Sequence, residues 1–351
     1  MEHWLEQTSE QIRQAAAQNR ILSIRGGNSK SFYGNTPRGE VLETGRYSGA
    51  VEYQPRELTL TARAGTTLQE IEALLAENNQ MLSFEPPHFG PGATLGGCLA
   101  AGLSGPRRPY AGAVRDAVLG VHLLDGRGQY LKFGGQVIKN VAGYDVSRLL
   151  AGSMGSLGVI CQASFKVLPR PECERTLLLE MPQDKAIATM NAFAGQPLPL
   201  SATAWVNGHL RVRLSGTESA VNAALKKLGG ELVKHGDEFW QSLKEHTLPE
   251  FAGATAASVW RLSLPSACPV FALMETVLVE WGGSVRWVRG ELPAKQVRQT
   301  LLPLGGHATR FYAASISSQG VFSPLSQSMA ALQQRIRAVF DPHGVFDTGR
   351  M

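Results

Sequence analysis

Three short stretches of this chain set backbone amides and small polar side chains close together with almost no side-chain bulk. They are RGGNSKS (25–31), GPGATLGG (90–97) and GSMGSLGV (152–159). Glycine lets a backbone approach a ligand closely, and successive N–H groups in a turn suit the oxygens of a phosphate. The first stretch follows an apolar run ending at Ile24 and adds the donors of Asn28, Ser29 and Lys30. The second opens a short helix, where free N–H groups attract anions. The third leads into a strand. None has the GxGxxG spacing with an acidic residue about twenty positions on, nor GxxxxGK[ST], so the Rossmann and Walker readings fail. Taken singly, each stretch is also an ordinary turn.

Other chemistry-bearing residues are sparse. The eight histidines (His3, His88, His122, His209, His235, His246, His307 and His343) show no HxH or HxxxH spacing, so no metal site is expected. Cys98, Cys161, Cys173 and Cys268 show no CxxC spacing. A zinc ribbon or a cysteine-ligated iron–sulfur cluster is therefore not expected, and the thiols read as reduced, buried hydrophobes. Arg261, Arg286, Arg310 and Tyr312 read either as a carboxylate clamp or as solvent-facing and structurally paired residues. No catalytic residue is identifiable.

The elements that must position these residues follow from length and pattern. A chain of 351 residues, 43% hydrophobic and 18% charged, is expected to form two domains or one with a large insertion. Its net charge of +5 fits an anionic ligand or an acidic partner. Nucleic acid is not expected, because no basic block is interleaved with aromatics. Glu2, Glu6 and Glu10 interrupt any signal-peptide core, and no apolar run approaches about eighteen residues. The expected place is the cytoplasm, with at most peripheral attachment to the inner membrane through partners.

Residues 9–19 predict a helix, and 21–24, 40–51 and 57–62 predict strands. Thr67 with Glu70 has capping-box spacing, ahead of an apolar face of Leu68, Ile71, Leu74 and Leu75. A short helix opens at Thr94. Strands over 114–124 and 130–133 flank the turn Asp125-Gly126-Arg127-Gly128. After 169–171 the character changes. Residues 172–305 alternate strands (LLLEM, HLRVRL, SVWRLSL, SVRWVRG) with helical runs (ESAVNAALKKLGG, FALMETVLVEWGG), which predicts a small α+β domain. In the closing RIRAVFDPHGVFDTGRM, Pro342 ends a helix and His343-Gly344 turns the tail back.

The order of four blocks is more specific than any one of them. RGGNSKS, PPHFGPGATLGGCLAAGLSGPRRPYAGAVRDAVLGV, KNVAGYDVSRLLAGSMGSLGVICQASFKVLP and FDPHGVFDTGRM together resemble the FAD-binding domain of the vanillyl-alcohol oxidase / p-cresol methylhydroxylase (PCMH) type. The resemblance covers residues 10–172 and the C-terminal tail. Within that type, the RGGNSKS variant, the short cap region and the FDTGRM ending look most like the FAD-binding subunits of bacterial glycolate oxidases.

The resemblance implies an α+β fold. It has a two-subdomain PCMH-type FAD-binding domain over 1–172, a smaller α+β cap over 173–305, and a C-terminal segment, 306–351, packing back on the FAD domain. It implies that Gly26, Gly27, Asn28, Ser29 and Lys30 wrap the FAD pyrophosphate, with Arg25 either joining them or held in a structural ion pair. Pro91, Thr94, Leu95, Gly96 and Gly97 would run beside pyrophosphate and flavin, followed along the ligand by Ala101, Gly102, Ser104 and Gly105. Gly152, Gly155, Gly158 and Val159 would meet ribose and adenine, Val159 through its backbone. Asp116 and Asp145 match family positions as bonds to local backbone.

Asn28 stands where flavin-linked members carry His, so noncovalent FAD is expected; Cys98 and His88 lie near the second block. The His-rich metal motif of related 2-hydroxy-acid dehydrogenases has no match. The implied activity is oxidation of glycolate to glyoxylate by a complex in which this chain is an FAD-binding subunit. Its partners would be a second flavin subunit, which binds the hydroxy acid, and an iron–sulfur subunit, which takes the electrons. A self-sufficient FAD-dependent 2-hydroxy-acid or alcohol dehydrogenase is the alternative, and a scaffold with a vestigial site is disfavoured by the intact glycine blocks.

Overall fold

The computed structural model describes residues 2–135, 145–252, 257–271, 273, 275–313 and 320–351. The chain forms two compact units. One comprises Met1–Ser104, Gly112–Arg170 and Pro324–Met351; the other comprises Gly105–Ala111 and Pro171–Ser323.

The first unit is built on a five-stranded antiparallel sheet. Its strand order is Ala50–Gln54, Thr59–Arg63, Val159–Lys166, Val118–Leu124, Tyr130–Gly134. The helix Leu68–Ala76 buries Leu68, Ile71 and Leu75, at the spacing of one helical face, in a core with Phe84, Leu99, Val121 and Phe165. Its start is a capping box: Thr67 Oγ1 accepts from Glu70 N (3.2 Å) while Glu70 Oε2 accepts from Thr67 N (2.9 Å). A second cluster joins Ile12 and Ala15 of the helix Glu2–Ala17 to Leu22, Leu42, Val345 and Phe346. The tail is thereby part of this core.

The second unit is an eight-stranded antiparallel sheet whose order runs from Glu231–Leu232 through Cys173–Glu180, His209–Gly216, Leu200–Val206, Glu275–Glu280, Val285–Arg289 and Val259–Ser263 to His307–Tyr312. The helices Gln183–Ala194 and Glu218–Leu228 pack Ala186, Met190, Val221 and Ala224 against Leu177, Leu210 and Val212. The helix Ala294–Leu301 buries Ala294, Val297 and Leu301 against Trp260, Leu262, Val288 and Ala308.

Several sequence expectations change here. Residues 40–51 are two strands in different sheets. Glu40–Glu43 runs parallel to Leu22–Arg25, and a turn closed by Tyr47 N donating to Thr44 O releases Ala50–Gln54 to the five-stranded sheet. The strand expected over 114–124 begins as a helical turn, Val114–Ala117, because Asp116 Oδ2 accepts from Ala113 N (2.8 Å). The helix expected in FALMETVLVEWGG is the strand Glu275–Glu280. It lies between two other strands with Val277, Leu278 and Val279 all buried, and a strand buried on both faces loses the alternation that would betray it. The strand His307–Tyr312, expected with the C-terminal segment, pairs with Val259–Ser263 in the second unit.

Candidate functional site

The strand Leu22–Arg25 is anchored at both ends. Leu22 N donates to Val345 O (2.7 Å) and Thr44 N donates to Arg25 O (2.8 Å). Beyond Arg25 the pairing stops. Among the described residues, the amides of Gly26, Gly27, Asn28 and Ser29 find no protein acceptor. Asn28 takes φ +57°, a left-handed conformation that Asn tolerates, and turns the chain so that these donors line one concavity.

A second loop comes against this one. A Cβ on Gly27 would lie 1.3 Å from Gly92 O, and one on Gly26 would lie 2.5 Å from Thr94 Oγ1. The two glycines are therefore what lets the first and second blocks touch. Thr94 caps the helix Leu95–Ala101, accepting from Gly97 N (3.3 Å). The helix-opening amides, expected to be free for an anion, are bonded instead: Leu95 N to Thr66 O (2.9 Å) and Gly96 N to Ala64 O (2.8 Å). The free donors belong to the first loop.

The third block is tied to the same helix, with Gly152 N donating to Leu99 O (3.0 Å) and Met154 N to Ala100 O (2.9 Å). Gly155, at φ +81°, packs on Ile24, and Gly158, at φ +140°, packs on Leu124 O. Residues 139–144 of that block lie outside the described residues.

These loops enclose a cleft of about 370 Å³, within the range of roughly 300–1,000 Å³ typical of small-molecule and cofactor sites. Of the residues expected at the cofactor, the structure brings twelve to its walls: Arg25, Gly26, Gly27, Asn28, Ser29, Lys30, Thr94, Gly96, Gly97, Ala101, Gly155 and Gly158. Seven lie elsewhere. Pro91 is in the neighbouring turn, and Leu95 and Val159 point into the core. Gly102 ends the helix and Gly152 follows it by hydrogen bond. Ser104 Oγ accepts from Val114 N (3.2 Å), and Gly105 belongs to the second unit. Asp145 Oδ1 accepts from Arg148 N (3.3 Å), a local cap like that of Asp116.

Arg25 has both of its expected roles in reach, since Nη1 stands 3.7 Å from Glu43 Oε1 while the residue lines the cleft. Lys30 is buried to 8% exposure, and its Nζ donates to His88 O (3.2 Å). Two residues were not singled out from the sequence. Thr44, buried, donates from Oγ1 to Arg25 O (3.2 Å). Arg350 donates to Lys30 O (2.6 Å) and to Tyr33 O (3.0 and 3.2 Å), so the tail fixes the end of the phosphate-type loop. Burial pulls the Arg350 guanidinium below its usual range. Cys98 is buried away from the cleft walls, and desolvation pushes its thiol up to about 11. His88 Nε2 stands 3.2 Å from Glu72 Oε1.

The electrostatics decide what the cleft can hold. Arg25, Lys30 and Arg350 line it, as do the four residues whose amides have no protein acceptor, and no Asp or Glu is among the described residues of its walls. A diphosphate group fits that donor set, because its oxygens are acceptors only and carry the opposite charge.

Comparison with known proteins agrees. Residues 5–134 match the FAD binding domain family. Glycolate oxidase subunit GlcE of Escherichia coli (strain K12) is 45% identical over 342 residues, 97% of this chain and 95% of that protein. The chain belongs to the glycolate oxidase subunit GlcE family. Its cofactor is FAD, and it is an FAD-dependent oxidoreductase of PCMH type with a mixed helix and sheet fold. Similarity to proteins of other names is partial. Glycolate oxidase subunit GlcD of Bacillus subtilis (strain 168) is 31% identical over 46% of this chain and 35% of its own length. The GlcE-family fold also superposes on a solved alkyldihydroxyacetonephosphate synthase with a TM-score of 0.66 at 14% identity, covering 99% of this chain and 76% of that one. No helix among the described residues is long and apolar enough to cross a membrane.

Proposed function

We propose that this chain is an FAD-binding subunit of a glycolate oxidase complex, oxidising glycolate to glyoxylate with release of two electrons and two protons. The observation that carries the reading is the cation-lined cleft with its four free amides, in a chain 45% identical along nearly its whole length to a subunit of that name. FAD, when bound, supplies hydride acceptance and onward single-electron transfer.

The chain's own groups do the rest. The amides of residues 26–29 and the Lys30 ammonium hold the pyrophosphate. The carbonyl of His88 orients that ammonium, and Arg350 keeps the loop from opening. The other cleft residues expected from the sequence, from Thr94 to Gly158, flank the flavin and adenosine ends.

Electrons leave through partner subunits: a second flavin subunit and an iron–sulfur subunit. The four cysteines of this chain are all buried and unpaired, which supports placing the cluster on a partner. The self-sufficient alternative gains little from the residues proposed to clamp a carboxylate. Arg310 is paired with Glu291 Oε2 (2.8 Å) and bonded to Ser258 Oγ (3.0 Å). Arg286 is buried and spent on the carbonyls of Cys268 and Pro269.

The test is to purify the chain alone with FAD, record its visible spectrum before and after acid precipitation, and offer glycolate with an artificial acceptor. Flavin released by acid, no turnover alone and turnover on adding the partner subunits are expected. Turnover by the isolated chain would establish the self-sufficient enzyme instead, and a colourless chain that takes up no FAD would remove the flavoprotein reading.

A further inference from the structure

The helix Gln327–Phe340 has fourteen residues, of which Phe340 alone is buried. Its two ends are fixed. Ser326 Oγ accepts from Met329 N (3.3 Å). At the other end Gly126 N donates to Phe340 O (2.8 Å) and Arg127 Nη1 donates to Val339 O (2.9 Å). Between them the helix turns apolar side chains outward. Met329, Leu332, Ile336 and Val339 recur at steps of three, four and three, the spacing of a seam that packs against another helix. Met329 is 52% exposed and Val339 64%; Leu332 is exposed as well, and Ile336 is half-buried at the edge of the core. A helix of this length is marginal in water without tertiary packing, and a contiguous apolar stripe left in solvent marks a contact surface.

Beside the seam, a groove of about 270 Å³ runs between this helix and the loop of the third glycine block. Leu149, Leu325 and Met351, all exposed, carry the apolar surface into it. The loop has two sides. Gly152, Ser153, Ser156 and Leu157 line the groove, whereas Met154, Gly155 and Gly158 line the cofactor cleft. A partner seated in the groove therefore touches a segment that also walls the cofactor. Exchange of electrons with FAD requires a partner close to the cleft, and this face meets that need.

Charge selects the occupant. The charged residues of the helix are Arg335 and Arg337, and no Asp or Glu is on the helix or among the described residues of the groove. Arg335, exposed, stands three positions after Leu332 and four before Val339, on the flank of the seam. A second copy of this chain would set the face against itself, with no carboxylate on either helix to meet the arginine. We propose that Met329, Leu332, Ile336 and Val339 dock an amphipathic helix of a partner subunit. Its apolar stripe fills the seam and groove, and Asp or Glu residues flanking that stripe meet Arg335. That the partner is a subunit of an oxidising complex rests on the function proposed above; the seam and its charge do not.

The experiment is calorimetric titration of the FAD-loaded full chain with the purified flavin and iron–sulfur partner subunits. It compares the native protein with Met329→Glu, Val339→Glu and Arg335→Glu, with flavin content and melting recorded for each, and adds hydrogen exchange of the native chain free and in the complex. Expected are an affinity lowered at least about tenfold by each seam variant and about threefold or more by Arg335→Glu, with flavin content unchanged. Added salt should weaken native binding, and residues 327–340 should gain protection in the complex. Native affinity in both seam variants, or no gain of protection, overturns the docking face. Self-association of the native chain that Val339→Glu abolishes overturns the partner in favour of a second copy. Sedimentation with phosphatidylglycerol–phosphatidylethanolamine vesicles that Val339→Glu abolishes overturns it in favour of a lipid surface. Should the seam variants unfold, Arg335→Glu and the native exchange pattern decide. A native chain that binds neither subunit removes the complex and this partner with it, whereas a complex that assembles equally well with the seam variants removes only this face.

Discussion

Gly27→Ala tests how the cofactor cleft is made. The added Cβ would sit 1.3 Å from Gly92 O and 2.4 Å from its carbonyl carbon, where ordinary contact begins near 3.4 Å. Gly92 has no side chain to rotate away, so one of the two loops has to retreat by about 2 Å. Hydrogen bonds of about 2.9 Å do not survive such a shift. Overpacking of this kind costs roughly 1–3 kcal/mol in the fold. The larger effect is on binding, because the amides of residues 26–29 lose their common aim. Bonds to a charged acceptor are each worth about 1.5–3 kcal/mol, so losing two weakens FAD by at least about 100-fold. The assay is flavin per chain after desalting, followed by FAD titration of the stripped protein. Gly152→Ala is the control. It has φ +83° but nothing within 4 Å of the new atom, so it carries a conformational cost of about 1–2 kcal/mol without closing the loops. Stoichiometric flavin at native affinity in Gly27→Ala would refute the argument that this loop contact shapes the FAD site.

Arg350→Ala removes the bonds to Lys30 O and Tyr33 O, and should lower FAD affinity about tenfold while melting the first unit earlier; flavin retention and thermal unfolding check both. Thr67→Ala breaks the capping box at about 1 kcal/mol, seen as a fall of roughly 2–4 °C in Tm with flavin content unchanged. Burial raises the Glu280 carboxyl from 4.5 to about 6. The folded state therefore favours the protonated acid, and that contribution is full below pH 4.5 and lost as pH rises through 6. Glu280→Gln, which keeps an acceptor for Trp287 Nε1, should match the native protein near pH 4 and exceed it by on the order of 2 kcal/mol at pH 8, read from melts at the two pH values. His246, half-buried and packed against Phe251, Trp287 and Phe311, is pulled by desolvation from 6.5 down to about 3. Its neutral form is the folded one, so stability is full above pH 6.5 and falls as pH drops toward 3. His246→Gln should flatten that acid limb.

Local rules made the Thr67–Glu70 cap, the strand before RGGNSKS and the helix opening at Thr94 legible, because each depends on residues a few positions apart. They failed where the deciding contact was distant. ETVLVE became a strand because it pairs along both edges with other strands, while Val277, Leu278 and Val279 are buried in succession and show no alternation. The run over 40–51 broke because its first half pairs beside Leu22–Arg25 and its second half beside Thr59–Arg63. The site divides in the same way. Glycines facing a backbone announce themselves by type, whereas Thr44 and Arg350 have common side chains. Their importance comes from the parallel strand pairing and from a tail folded back across some 320 positions of sequence.

That tail also resolves where the anion donors come from. A helix start looks like the natural phosphate site, yet here the helix after Thr94 has its first amides satisfied by Thr66 O and Ala64 O. Those bonds lock the helix onto the strand-to-helix corner at 64–66 and make it a wall. The flexible RGG turn then supplies the donors, and a turn with four open amides holds its shape only if something else does. Arg350 supplies two anchor points on its far side, Thr44 one on its near side, and Gly92 closes against its middle. The unsatisfied groups are thus concentrated at the ligand face, while every support is a bond or contact that exists without the ligand. Such a division favours binding with little rearrangement, since the ordering of the loop is complete before the cofactor arrives.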